Sequence, residues 1–194
     1  MPDTVPDEAA VFAEPLAAAL HVCDAVEDAA GGAIVLGDGK LGLLVAQALA
    51  AAGVPTLVVG HHREKLALAA AAGAETALES ELGARPRSPL VVEATGSAAG
   101  LERAFALARP RGIVVQKTTV SGKLSVDFAP VVIDELRIVG SRCGDMARAL
   151  ECLAAGRIDP RPLLAARYPL ARADEALRHA ARPGTLKVVV EGVA

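Results

Sequence analysis

Short runs of apolar residues alternate along the chain with stretches of helix-forming residues. Five runs of four to seven residues, mostly rich in Val, Ile and Leu, lie at residues 33–36, 56–59, 90–94, 112–118 and 137–140. Such runs are typical of parallel strands that are buried on both faces. A weaker strand is predicted at residues 75–78, and helices are predicted at residues 40–52, 63–72 and 97–108. This alternation predicts an α/β fold, a doubly wound, six-stranded parallel sheet with helices on both faces.

The two ends of the chain do not fit that sheet. Residues 1–15 are acidic and contain prolines, so no element is predicted there, and residues 15–27 predict a helix. A further helix is predicted near residues 145–155, and a Pro- and Arg-rich segment follows at residues 157–169. A helix near residues 172–181 and a strand at residues 186–191 complete the chain, and the pattern shows no partner for that strand.

Composition narrows the function classes. A chain of 194 residues suits one domain. The net charge of −3 without a basic block does not indicate a nucleic-acid or membrane partner, and a small molecule is expected instead. Three cysteines without CxxC spacing encode neither a disulfide framework nor a structural zinc site, so a reducing cytoplasm is expected. The uncharged run at residues 41–60 contains Gln47 and Pro55, which favours a buried strand-helix-strand unit over a membrane span.

The most informative motif is a GxGxxG sequence at residues 37–42, between a predicted strand and a predicted helix. In this context Gly37 turns the chain, Gly39 lets the backbone approach a pyrophosphate, and Gly42 allows close packing of the helix on the strand. Lys40 and Leu41 begin the helix, whose free amides face the anion. The motif predicts dinucleotide binding, and the alternative is a turn whose glycines serve packing alone.

The end of the second strand lacks an expected acid. Sites that bind NAD usually place there an Asp or Glu that hydrogen-bonds the ribose 2′-hydroxyl. This sequence has Gly60, His61, His62 and Arg63 instead. Because a guanidinium can bind a 2′-phosphate, the sequence slightly favours NADP over NAD. The alternative is that His61 to Arg63 only begin a solvated helix.

The carboxyl ends of the other strands predict further contacts. Thr95, Gly96, Lys117 and Arg142 follow these strands and are predicted to approach the nicotinamide side of the cofactor. The two long cations could equally be solvated at the surface. Cys143 is predicted to be a buried small apolar residue.

Several motifs in order resemble the cofactor half of the medium-chain, zinc-dependent alcohol dehydrogenases, including the polyol and threonine dehydrogenase-like branches. They lie at residues 12–16, 36–42, 92–97 and 139–144. The resemblance implies a full subunit with a second, catalytic domain that holds zinc. The sequence has no Cys-Gly-x-Asp-x-His or Gly-His-Glu segment, so no catalytic residue and no metal site are predicted. Glu14 matches a position that the resemblance implies to lie near the zinc. It is at most a partial ligand, and an exposed acid is the alternative.

These observations divide the chain into a linker and leading helix at residues 1–30, a dinucleotide-binding domain at 31–156, and a return segment at 157–194. The resemblance implies an NAD(P)-binding oxidoreductase module that positions nicotinamide for hydride transfer, inactive alone. It also implies a truncated or split-gene product, which would act on an alcohol or carbonyl only when a catalytic domain is supplied. The rival interpretation is a non-catalytic dinucleotide-binding or interaction subunit. By analogy, a homo-oligomer through residues 137–140 is also plausible.

Overall fold

The central feature is a parallel sheet of six strands. The computed structural model describes residues 2, 4–25, 31–83, 86–119 and 123–192. The strands of this sheet are β1 (Ala33–Leu36), β2 (Thr56–Gly60), β3 (Glu75–Leu78), β4 (Ser88–Glu93), β5 (Ala108–Gln116) and β6 (Arg137–Gly140). Their order is β3-β2-β1-β4-β5-β6, so the direction of winding reverses between β1 and β4. The predicted doubly wound α/β fold is therefore confirmed.

Helices connect and cover the strands. They are α1 (Asp7–Ala10), α2 (Ala13–Leu20), α3 (Lys40–Ala51), α4 (Arg63–Ala71), α5 (Ala98–Leu107), α6 (Ala129–Ile133), α7 (Met146–Ala154) and α8 (Ala173–Ala180). Short 3₁₀ turns lie at His21–Ala25, Glu79–Glu81, Arg161–Leu163 and Leu170–Arg172. Within the described ranges, no helix has the length and apolar character needed to cross a membrane.

Successive residues of the strands face opposite sides of the sheet, and each side has its own core. Val35 of β1 belongs to the cluster that contains Leu16 of α2 and Leu44 of α3. Ile34 of the same strand belongs to the cluster that contains Phe105 of α5. Because both faces of the central strands β1 and β2 are covered, these strands are apolar at nearly every position, which produces the runs visible in the sequence.

The N-terminal segment is more ordered than the sequence predicts. Helix α1 lies within residues 1–15, where no element was expected, and α2 begins at Ala13 rather than at residue 15. Helix α2 ends at Leu20 and continues as a 3₁₀ turn to Ala25, while residues 26 and 27 lie outside the described residues. Phe12 and Leu16 are fully buried, so burial of these side chains orders a segment whose composition is acidic and rich in proline.

The C-terminal strand has a partner, so the prediction that it has none was wrong. Strand β7 (Leu164–Pro169) pairs in parallel with β8 (Lys187–Glu191) in a separate two-stranded sheet. The side chains of β7 alternate between half-buried and exposed, with Leu164, Ala166 and Tyr168 on the covered side. The Pro and Arg residues of this segment concealed that two-residue period in the sequence.

Strand β5 also begins earlier than predicted. Helix α5 ends at Leu107, and the chain becomes extended at Ala108, which pairs with Ser88. The ladder is irregular after that pair, and Arg111 has a φ of 63°. Pro110 lies in this irregular part of the ladder, where no hydrogen bond from its nitrogen is needed. The strand can therefore begin before the proline rather than after it.

Candidate functional site

A crevice of about 490 Å³ opens at the carboxyl ends of β1, β2 and β4. Its walls are the loops after these strands, the first turns of α4 and α5, and residues 184–186 before β8. Ligands of doubly wound sheets bind at this position, where the strand order reverses. The predicted site residues that line the crevice are Gly37, Gly39, Gly60, His61, His62 and Thr95.

Residues 37–42 form a loop that we call the glycine loop. Two of its three glycines lie so close to other backbone atoms that no side chain would fit. Gly37 has a φ of +111°, and a Cβ atom there would lie 2.7 Å from the carbonyl oxygen of Ala94. A Cβ atom at Gly42 would lie 2.0 Å from the carbonyl oxygen of Gly37. Neither position has room for a side chain, so the first turn of α3 lies directly against the end of β1.

The remaining glycine of the loop, Gly39, has open space around it. A Cβ atom at Gly39 would have no neighbour within 4 Å, and this residue precedes α3 as an N-cap without a side-chain hydrogen bond. Lys40 and Leu41 are the first residues of the helix. Amides in a first helical turn have no acceptor within their own helix, so their dipoles favour an anion. The open space at Gly39 and the helix start after it have the geometry that suits a phosphate group.

Asp38 is a crevice-lining residue that the sequence analysis missed. Its Oδ2 atom accepts hydrogen bonds from the amides of His61 and His62, both at 2.7 Å, and lies 3.0 Å from His62 Nδ1. Burial alone would raise the pKa of the Asp38 carboxyl. The contacts with His62 and His61 lower this pKa by more than burial raises it, so the net pKa lies below the ordinary value. The signal in the sequence was an acid inside the glycine motif together with the glycine at position 60.

The cation predicted for a 2′-phosphate lies outside this cavity. The Arg63 guanidinium is exposed and forms an ion pair with Glu81, and Arg63 is not among the residues that line the crevice. Lys65, two residues further along α4, is buried and lines the crevice. Its ammonium lies 3.3 Å from the position that a Cβ atom of Gly184 would occupy.

The loop after β4 is held by a buried acid. Glu93 is fully buried, and its Oε1 atom accepts hydrogen bonds from the amide of Thr95 at 2.7 Å and from Thr95 Oγ1 at 2.6 Å. Gly96 has a φ of +81° and donates its amide to Thr118 Oγ1 at 2.9 Å. Ser97 accepts from the amide of Gly100 at 3.0 Å and so caps the N-terminus of α5. These bonds fix the wall of the crevice at Thr95.

Lys117 contacts the backbone of Arg142, and neither residue lines the crevice. The Lys117 ammonium donates to the carbonyl oxygens of Ala18 and Arg142, at 2.9 and 3.1 Å, and to Ser141 Oγ at 3.0 Å. Burial lowers the pKa of Lys117. The contact of these two cations with a cofactor stays a prediction.

Cys143 is exposed, so the prediction that it is buried was wrong. It lies in the extended segment before α7 and contributes nothing to the core.

Glu14 lies on the exposed side of α2. Across the part of the chain that the structure describes, no three His, Cys, Asp or Glu side chains are grouped so that they could hold a metal ion. A tetrahedral zinc site needs at least three protein ligands, so the described residues do not fit a catalytic zinc.

The sheet order and the glycine loop define a Rossmann-type dinucleotide-binding fold. The profile of the family described as zinc-binding dehydrogenase matches residues 41–155. Human sorbitol dehydrogenase is 28% identical over 211 residues, covering 98% of this chain and 58% of that enzyme. The crystal structure of L-idonate 5-dehydrogenase from Escherichia coli matches with a TM-score of 0.88 at 25% identity, over 98% of this chain and 59% of that one. A zinc-binding dehydrogenase from Sinorhizobium meliloti 1021 bound to NADP matches with a TM-score of 0.87 at 27% identity, over 98% and 61%.

The chain belongs to the zinc-binding dehydrogenase family. It corresponds to the NAD(P)-binding half of a zinc-type, alcohol dehydrogenase-like oxidoreductase. The chain spans about three fifths of the length of the relatives it matches. The resemblance inferred from the sequence is thus confirmed at the level of the family.

Proposed function

We propose that this chain binds NAD(H) or NADP(H) in the crevice and positions the nicotinamide ring for hydride transfer to or from an alcohol or carbonyl. The observation that carries the proposal is the glycine loop, whose residues 37–39 line the crevice directly before α3 and leave open space at Gly39. The S. meliloti relative is bound to NADP, which supports the same ligand class here.

Each wall of the crevice has a separate part in this proposal. The pyrophosphate is held by Gly37 and Gly39, which line the crevice, and by the amides of Lys40, Leu41 and Gly42 at the start of α3. The adenosine ribose lies against Gly60, His61 and His62, whereas Arg63 lies outside the crevice and pairs with Glu81. The nicotinamide side faces Thr95 and Gly96. Contact of Lys117 and Arg142 with the nicotinamide stays a prediction from the sequence, because the Lys117 ammonium donates to Ala18, Ser141 and the backbone of Arg142. The bound dinucleotide supplies the hydride donor or acceptor. The residues of the chain orient it, because Glu93 fixes Thr95 and the two close glycine contacts fix α3.

The chemical step needs an electrophile that the described residues do not provide. No set of zinc ligands is present among them, so we derive no step through a metal. We expect little or no alcohol oxidation by the 194-residue chain alone, and the substrate side of the reaction to depend on a zinc-bearing catalytic domain. The division at residues 30 and 156 stays part of this proposal.

The test is titration of the chain with NADH and NADPH, followed by nicotinamide fluorescence or calorimetry. The informative variant is Gly39→Asp, because the open space accepts the side chain and Asp is a good N-cap. Its carboxylate would stand where the pyrophosphate binds, and the repulsion between the two anions should weaken binding at least about tenfold. The matched control is Gly192→Asp just after β8, outside the crevice, where a Cβ atom also has no neighbour within 4 Å.

We expect the wild-type chain to bind at least one dinucleotide with a dissociation constant below about 1 mM, the upper end of ordinary KM values. Gly192→Asp should bind equally well, and both variants should melt at nearly the wild-type temperature. If the wild-type chain binds neither dinucleotide, or if Gly39→Asp binds as well as wild type, the proposed site is wrong.

Two further predictions belong to this proposal. Strand β6 forms one edge of the six-stranded sheet, and Ile138 on it is exposed, which supports a homo-oligomer through Arg137–Gly140. Size-exclusion chromatography with light scattering would detect it, and a monomer at high concentration would contradict it. All three cysteines are free, which supports the prediction of a cytoplasmic location.

A further inference from the structure

The position that usually carries the ribose-binding acid is filled here by a side chain from another loop. Gly60 ends β2 and has no side chain. A Cβ atom at Gly60 would lie 2.6 Å from both Cβ and Oδ2 of Asp38. The Asp38 side chain therefore already occupies the space that a residue at position 60 would use, and a glycine is required there.

The carboxylate of Asp38 is held in a fixed orientation. Its Oδ2 atom accepts the amides of His61 and His62 and contacts the His62 ring. Among the described residues, no donor forms a hydrogen bond with its Oδ1 atom. This atom is also absent from the fully buried polar atoms that lack a partner, so it is accessible from the crevice. Asp38 lines the crevice, so one oxygen anchors the group and the other remains available to a ligand.

From this arrangement we infer that Asp38 is the acid that recognises the adenosine ribose, and that it makes the site prefer NAD(H) over NADP(H). The inference rests on the proposed dinucleotide function and names the cofactor of the same site. Ribose hydroxyls can donate to a carboxylate, whereas a 2′-phosphate would be repelled by it. Arg63, the residue from which the sequence favoured NADP, is paired with Glu81 at the surface.

The test compares dissociation constants for NADH and NADPH across three variants of the full chain. Asp38→Asn keeps the size of the side chain and an oxygen that can accept the two amides, so it should fold. Asp38→Gly combined with Gly60→Asp moves the acid to the end of β2. Asp174→Asn, on the exposed surface of α8, is the matched control for loss of one carboxylate.

We expect the wild-type chain and Asp174→Asn to bind NADH at least about tenfold more tightly than NADPH, and Asp38→Asn to lose most of that ratio. The double variant should recover the preference, because the carboxylate returns to the same place by a different route. An unchanged ratio in Asp38→Asn, or a wild-type preference for NADPH, would overturn the inference while dinucleotide binding stands. If wild type binds neither dinucleotide, the proposed function fails together with the inference.

Discussion

Replacement of Lys117 by Met should destabilise the fold rather than weaken cofactor binding. The ammonium has three protons and faces three acceptors, on Ala18, Ser141 and Arg142. These acceptors lie at the end of α2 and in the loop after β6, so one side chain joins the N-terminal helix to the edge of the sheet. Met has similar length and apolar bulk but donates nothing, so the change isolates the hydrogen bonds.

The expected loss follows from those three bonds. A hydrogen bond to a charged group contributes about 1.5–3 kcal/mol net, and each buried acceptor left without a donor costs about 1–3 kcal/mol. Relief of the burial that lowers the pKa of Lys117 offsets part of this loss. We therefore expect the free energy of unfolding to fall by about 3 kcal/mol in Lys117→Met. For a chain of this length, that corresponds to a decrease in Tm of roughly 6–12 °C.

Chemical and thermal unfolding followed by circular dichroism would measure this loss, with NADH titration in parallel. Lys123→Met is the control, because that lysine is exposed and its replacement should change stability by less than about 0.5 kcal/mol. The structural reasoning is refuted if Lys117→Met unfolds like wild type. It is also refuted if the variant keeps its stability and loses NADH affinity, which would instead support the role in cofactor binding predicted from the sequence.

Three further outcomes can be checked by unfolding experiments. Gly42→Ala should lower the free energy of unfolding by about 1–3 kcal/mol or more, because its Cβ atom would lie 2.0 Å from a backbone oxygen, whereas Gly140→Ala should be nearly neutral in denaturant titrations. Asp145 accepts the amide of Ala147 at 2.8 Å as the N-cap of α7, so Asp145→Ala should cost about 1 kcal/mol and Asp145→Asn much less. The pKa of Asp38 is lowered in the folded state, so its ionisation stabilises the fold above the ordinary value of 3.8. The stability of wild type relative to Asp38→Asn should therefore fall as pH drops below that value, and a difference that grows in acid would contradict this sign.

The fold could be predicted because its signals are local. Buried parallel strands are apolar over most of their length, and Gly37 and Gly42 are required by backbone contacts that any such loop makes. The exceptions are non-local. The pairing of β7 with β8 joins residues separated by more than twenty positions, and the Pro and Arg residues of the first strand hid its alternation.

The direction of long side chains was the less predictable part of the site. Arg63 and Lys117 both stand at the ends of strands, yet one pairs with Glu81 and the other with backbone oxygens. Their positions in the sequence do not determine these partners, because the partners come from other loops. The orientation of Asp38 could not be predicted for a related reason. Its side chain occupies space that is free only because residue 60, in a different loop, is a glycine.

The two ends of the chain, separate in the sequence, support each other beside the crevice. Arg167 of β7 donates to Glu8 of α1 at 2.9 Å and to Glu191 of β8 at 3.3 Å. The ammonium of Lys187 lies 5.5 Å from the centroid of the Phe12 ring, and residues 184–186 just before β8 form part of the crevice wall. The return segment therefore contributes to the wall of the crevice itself. Because its position depends on contacts with the N-terminal helices, changes near Phe12 should reach the ligand through β8 although they lie far from the glycine loop in the sequence.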